Sequence, residues 1–155
     1  MNTRSLARKQ ITLALAAAGL IAFGAGTVAA QAAALPQVQR SGAIEYLSGG
    51  VGHDEAAAIE AASAHWPVTM EFAVRDGKRS EFAADVRVEI RDAKGRVALD
   101  THSGGPFLLA RLQPGSYSVS ATLADRTLHQ KIHVSRDKPA RVVFLWPAGT
   151  DAHSG

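Results

Sequence analysis

The chain has 155 residues, with 17 Lys+Arg against 14 Asp+Glu and no cysteine. Without cysteine there is no disulfide and no lipid-modified bacterial lipoprotein, so the folded part must hold together by its core alone. The calculated pI of 9.6 invites a nucleic-acid reading, but Arg4, Arg8 and Lys9 lie in a segment expected to be removed, leaving 14 cations against 14 acids and no basic footprint.

That segment opens with ten residues that carry those three cations and no acid, followed by an apolar run over 11–23. The pattern is that of a secretory signal. Small residues at alternate positions then place cleavage after Ala30 or Ala32, and 1–30 is assigned as the signal peptide. An uncleaved anchor needs about 20 strongly apolar residues, and the second half of this stretch is mostly Ala and Gly. No twin arginine is present, which selects the general secretion route and leaves no membrane insertion after cleavage. What remains is long enough for one modest core.

Residues 31–43, polar and Ala-rich with Pro36, are read as a flexible leader, and 44–48 as a short strand. Ser48-Gly49-Gly50-Val51-Gly52 is then a loop, because three glycines in four positions leave little to hold one backbone conformation. Residues 54–64 are rich in Ala, with Asp54 and Glu55 placed to complement the positive end of a helix dipole. Pro67 ends that helix. Ala56, Ile59 and Trp66 give it a thin apolar stripe suited to lie against a sheet.

From residue 68 the period is two. Val68, Met70, Phe72 and Val74 alternate with polar or small residues as far as Asp76-Gly77, and Val86, Val88 and Ile90 as far as Asp92-Ala93-Lys94-Gly95. Val97, Leu99 and Thr101 make the return strand. Ser103-Gly104-Gly105-Pro106 turns the chain into the nearly continuous apolar run 107–112, read as a central strand. After Gln113-Pro114-Gly115 come Tyr117, Val119, Ala121 and Leu123, a short hairpin, then Leu128, Gln130, Ile132 and Val134. Arg136-Asp137-Lys138-Pro139 leads to a last strand over 142–146. Seven short strands with turn chemistry between them predict a mainly β chain: a β-sandwich over 67–147 behind one accessory helix, with a disordered tail over 148–155.

Two stretches, Asp85 through the turn at Gly95 and Gly105 through Val119, resemble the carboxypeptidase regulatory-like domains. The similarity spans roughly residues 71–146, and it includes the Leu-x-Pro-Gly-x-Tyr pattern of that family at Leu112, Pro114, Gly115 and Tyr117. The resemblance implies a transthyretin-like (prealbumin-like) sandwich, a fold that serves many functions. The opening Tyr46-Leu47-Ser48-Gly49-Gly50-Val51-Gly52-His53-Asp54-Glu55 is similar to that of small exported proteobacterial proteins carrying this sandwich, which implies a Gram-negative periplasm and no catalysis. A hydroxyisourate hydrolase associated with the fold typically ends in Tyr-Arg-Gly-Ser, whereas this chain ends Asp151-Ala152-His153-Ser154-Gly155.

A strand, glycine loop and helix start can cradle a phosphate, but here no Lys-Ser/Thr follows, and Asp54 with Glu55 puts two negative charges where an anion would sit. His129 and His133 are four apart on a strand, about 13 Å, too far for one metal ion. They alternate outward with Thr127 and Lys131. There is no Cys nucleophile and no Gly-x-Ser-x-Gly elbow. Neither cofactor nor metal is expected. Phe107 and Tyr117 follow the core alternation, and Trp146, at the end of the last strand beside Pro147, is the better surface aromatic. The expectation is a non-enzymatic module that binds a periplasmic or envelope protein through a sheet edge or through loops. Its surface would include Gly49, Gly50, Gly52, Asp54, Glu55, Gly105 and Trp146. The alternative is a small-ligand or metal-binding periplasmic protein.

Overall fold

The computed structural model describes residues 34–150, so the expected signal peptide and residues 151–155 lie outside the described residues. In chain order the elements are β1 (Gln39–Ser41), β2 (Ile44–Gly49), α1 (His53–Ser63), β3 (Val68–Asp76), β4 (Arg79–Phe82), β5 (Val86–Asp92), β6 (Val97–Ser103), β7 (Phe107–Ala110), β8 (Gly115–Leu123), β9 (Arg126–Val134) and β10 (Ala140–Trp146). They form two sheets, one ordered β1-β2-β7-β3-β10 with β4 added to the far half of β3, the other ordered β6-β5-β8-β9.

The period of two does what the alternation predicts. Val86, Val88 and Ile90 of β5, Val119 and Ala121 of β8, and Val142, Phe144 and Trp146 of β10 join Val68, Met70, Phe72 and Val74 of β3 in one buried cluster between the sheets. The rings of Phe72, Phe144 and Trp146 lie 5.8 to 6.3 Å apart at its centre. Strand β7 is buried at all four positions because both its faces are covered. Leu108 and Ala110 enter the core, whereas Phe107 and Leu109 join Leu47, Ile59 and Trp66 in a second cluster under α1.

The stripe of Ala56, Ile59 and Trp66 therefore faces the sheet. Its one fully buried helical side chain, Ile59, contributes about 1.5–3 kcal/mol. Arg141 of β10 adds a polar clamp: it donates to Glu60 Oε1 and Oε2 of α1 at 2.7 and 2.9 Å and to Glu71 Oε2 of β3 at 2.7 Å. Both carboxylates, Glu60 first, raise the Arg141 pKa above its ordinary range, and the same bond holds Glu60 below the usual carboxylate range.

The sheets differ from the expected seven strands. Strand β1 lies inside the stretch read as a leader, and β4, exposed at every position, had no reading at all. Neither buries an alternating face, so neither shows a period; both are held by backbone pairing, to β2 and to β3. One pairing is parallel, β10 beside β3, from Ala140 opposite Val68 to Trp146 opposite Val74. The stretch read as a disordered tail begins with an ordered turn: Thr150 is buried, and its N–H and hydroxyl both bond the Pro147 carbonyl.

The Leu-x-Pro-Gly-x-Tyr turn is closed by its own tyrosine. The Tyr117 hydroxyl donates to the Gln113 carbonyl at 2.7 Å, an OH-to-backbone link that braces the corner entering β8. Its ring is half-buried, where Phe107 is buried completely.

Candidate functional site

The two glycine loops meet. Gly49 ends β2, and a Cβ on Gly105, in the β6–β7 loop, would fall on the Gly49 backbone. Gly50 has φ +97°, and a Cβ there would stand 2.5 Å from the Phe107 ring. The Gly50 N–H donates to Glu55 Oε1 at 2.7 Å and the Gly104 N–H to Ser48 Oγ at 3.3 Å. The buried Ser103 hydroxyl binds the Gly105 carbonyl at 2.7 Å.

These bonds turn the loops inward. Gly49, Gly50 and Gly105 are buried, so the expectation that they present a surface is corrected: their missing side chains allow main chain to approach main chain and ring. Gly52 and Asp54 are exposed, and Glu55, half-buried, spends a carboxylate oxygen on the loop it follows. That carboxylate occupies the N–H an anion would need. Trp146 is corrected as well: it is 0% exposed, in phase with Val142 and Phe144, and its indole N–H donates to the Arg126 carbonyl at 3.0 Å.

A different surface emerges on the outer face of the larger sheet. Register pairs Leu145 with Ala73 and Ala73 with Phe82; one step along, Val143 pairs with Glu71 and Glu71 with Phe107. Helix α1 covers the β2–β7 part of this face and reaches Arg141 of β10 through Glu60; beyond it Ala73 is itself buried, and apolar side chains on either side of it are exposed. Phe82 is 60% exposed, Val143 46% and Leu145 37%. The Phe82 ring lies 5.5 Å from that of Phe107, so the open strip continues the covered cluster. Sequence reasoning missed the strip, although the residues between Val142, Phe144 and Trp146 are themselves apolar, which was the available signal.

Strand β10 is also the end of its sheet, and no strand pairs with its other side among the described residues. Gln130 of β9 donates to the Val143 carbonyl at 2.7 Å. Backbone groups alternate sides along a strand, so those of Arg141, Val143 and Leu145 face the open edge.

The outer face of the smaller sheet is polar. His129 and His133 are exposed on β9, as are Thr127 and Lys131, and each histidine Nδ1 pairs with a serine of β8, Ser120 at 2.9 Å and Ser116 at 3.3 Å. Among the described residues no three His, Asp or Glu side chains are grouped to hold a metal ion.

No family model matches the chain, and no curated protein does. Among solved structures it is similar to GBS52, the minor pilin of the gram-positive pathogen Streptococcus agalactiae, at 17% identity and a TM-score of 0.37. The similarity covers 53% of this chain and 44% of that one, so it spans less than half the length of the pilin.

Proposed function

We propose that the chain is an exported, non-enzymatic binding module of a Gram-negative periplasm that takes an extended segment of an envelope protein onto the edge of β10. The observation that carries this reading is an open, seven-residue, largely apolar edge strand that itself exposes Val143 and Leu145, with Phe82 exposed across β3. The strip alone exposes on the order of 200 Å², far below the roughly 800 Å² per partner of a standard interface. Flat docking on it would therefore be weak. Strand addition brings main-chain hydrogen bonds as well, and Val143 and Leu145 would flank the outward side chains of the incoming strand.

The cationic head and apolar run of residues 1–23 support export. The turn closed by Tyr117 supports the transthyretin-like form of the sandwich. The test is a photo-crosslinking residue placed at Val143 or Leu145 in the exported protein, with Thr127 on the other sheet as control. The expected result is a discrete protein adduct from 143 and 145 and none from 127. Folded, exported protein with no adduct from either position would end the proposal.

A further inference from the structure

Three segments converge at one end of the sandwich: 64–67 after α1, 111–114 after β7, and 135–139 between β9 and β10. They enclose an open cleft of about 420 Å³. Its lining carries Arg111, Arg136 and Lys138 against the single acid Asp137, in a chain whose 14 cations and 14 acids balance as a whole once residues 1–30 are set aside.

Arg111 is held in place. Its guanidinium carbon lies 4.2 Å from the centroid of the buried Trp66 ring, and its Nε is 3.5 Å from Glu45 Oε2. Its side chain nevertheless remains 48% exposed. Stacking on an indole fixes the plane of a guanidinium without using its N–H groups. Arg136 and Lys138 stand on a loop folded by the bond from Ser135 Oγ to the Lys138 carbonyl at 3.2 Å. Neither is among the ion pairs of the described residues.

The walls favour charged recognition. Pro67, Pro114 and Pro139 line the cleft, and proline offers no N–H. An occupant must take many of its hydrogen bonds from the three cations, whose donors suit carboxylate and phosphate oxygens. The three cations outnumber Asp137 in the lining and Glu45 beside Arg111 by one, which favours an anionic occupant.

We propose that this cleft binds a compact anionic oxygen ligand, of the phosphate or carboxylate class. Arg111 provides a pre-oriented fork, and Arg136 and Lys138 close from the loop. The site is separate from the β10 edge, so either can fail without the other.

The experiment is an amide-shift titration of the isotopically labelled exported protein at low ionic strength, with inorganic phosphate in one arm and succinate in the other. Saturable shifts confined to residues 64–67, 111–114 and 135–139 are expected in at least one arm, and the tighter arm identifies the class. Arg111→Gln should weaken binding about tenfold, and Arg111→Lys should recover only part of it, because the charge returns without the fork. Arg136→Gln with Lys138→Gln should weaken it as much; both residues are exposed and outside the ion pairs, so that variant keeps the test available if Arg111→Gln does not fold. Lys94→Gln should change nothing. Shifts scattered over surface cations, no saturation in either arm, or wild-type binding by the Arg136/Lys138 double variant would overturn the proposal.

Discussion

Gly105→Ala probes the closure of the two glycine loops. Its new methyl group would lie 2.8 Å from the Gly49 Cα and closer still to the Gly49 carbonyl, and Gly49 is itself held opposite Phe107 in the β2–β7 pairing. Neither obstacle is the movable end of a side chain, so relief requires the β6–β7 loop to pull away from β2. Overpacking costs about 1–3 kcal/mol. A main-chain obstacle puts this case at the upper end, and loss of the Gly104-to-Ser48 bond adds about 1 kcal/mol. At about 4 °C per kcal/mol for a domain of this size, the variant should melt roughly 12–16 °C lower by circular dichroism. Gly104→Ala is the control: nothing lies within 4 Å of the Cβ position there, so its melting point should stay within about 2 °C of wild type. Equal melting of the two variants would refute the close approach of the loops.

Thr69 Oγ1 is the one buried side-chain polar atom of the described residues with no partner. Thr69→Val keeps the shape and removes the unmet hydroxyl, so it should raise stability by about 1 kcal/mol in urea unfolding; a loss would show that the hydroxyl is satisfied. Arg141→Met should cost about 1 kcal/mol at neutral pH, because its ion pairs are roughly half exposed. Glu60 has a lowered folded-state pKa, so its contribution is present above the ordinary carboxylate value and lost as pH falls through the folded one. The gap between wild type and Arg141→Met should therefore narrow below about pH 4, and a gap constant from neutral to acid would contradict the clamp. Trp66 and Trp146 are both buried, so iodide should quench native fluorescence poorly; in Trp66→Phe, quenching as strong as that of free indole would put Trp146 back on the surface.

Much of the sandwich was legible because burial on one face imprints a period of two. Val86-Arg87-Val88-Glu89-Ile90 states which side of β5 is wet, and the four apolar residues of β7 state that it is covered twice. Strands β1 and β4 bury no alternating face, so no period marks them, and the backbone pairing that makes them strands leaves no trace in a single sequence. The parallel register of β10 on β3 joins residues some 70 positions apart in the sequence, which periodicity does not encode. The glycine loops were found, but their direction was not. A glycine that frees a surface loop and one that lets two backbones touch read alike until Gly49 and Gly105 are seen in contact. Glu55 carried a similar ambiguity: its place in the first helical turn suits the dipole, while its carboxylate in fact binds the Gly50 N–H.

Of the edge strands β1, β6, β9 and β10, β10 is the least guarded against pairing with a second chain. An unpaired edge invites pairing with a second chain, and proteins suppress it with short strands or charge. Strand β1 ends its sheet with only three residues. Strand β9 exposes His129, Lys131 and His133, and β6 exposes Asp100, bound by Arg87, and His102. Strand β10 has seven residues, and beyond Arg141, whose charge Glu60 and Glu71 offset, its outward side chains are Val143 and Leu145. Gln130 caps the Val143 carbonyl, the one guard seen along that edge, and a single side-chain bond of about 1 kcal/mol is one an incoming strand can displace by replacing it with its own N–H. Leu145→Lys adds the missing charge at little cost to the core, because the residue is already part-exposed. If β10 is a docking edge, that variant should keep its melting point and lose the adduct formed from position 143; an adduct of undiminished yield would show that the contact does not run through this edge.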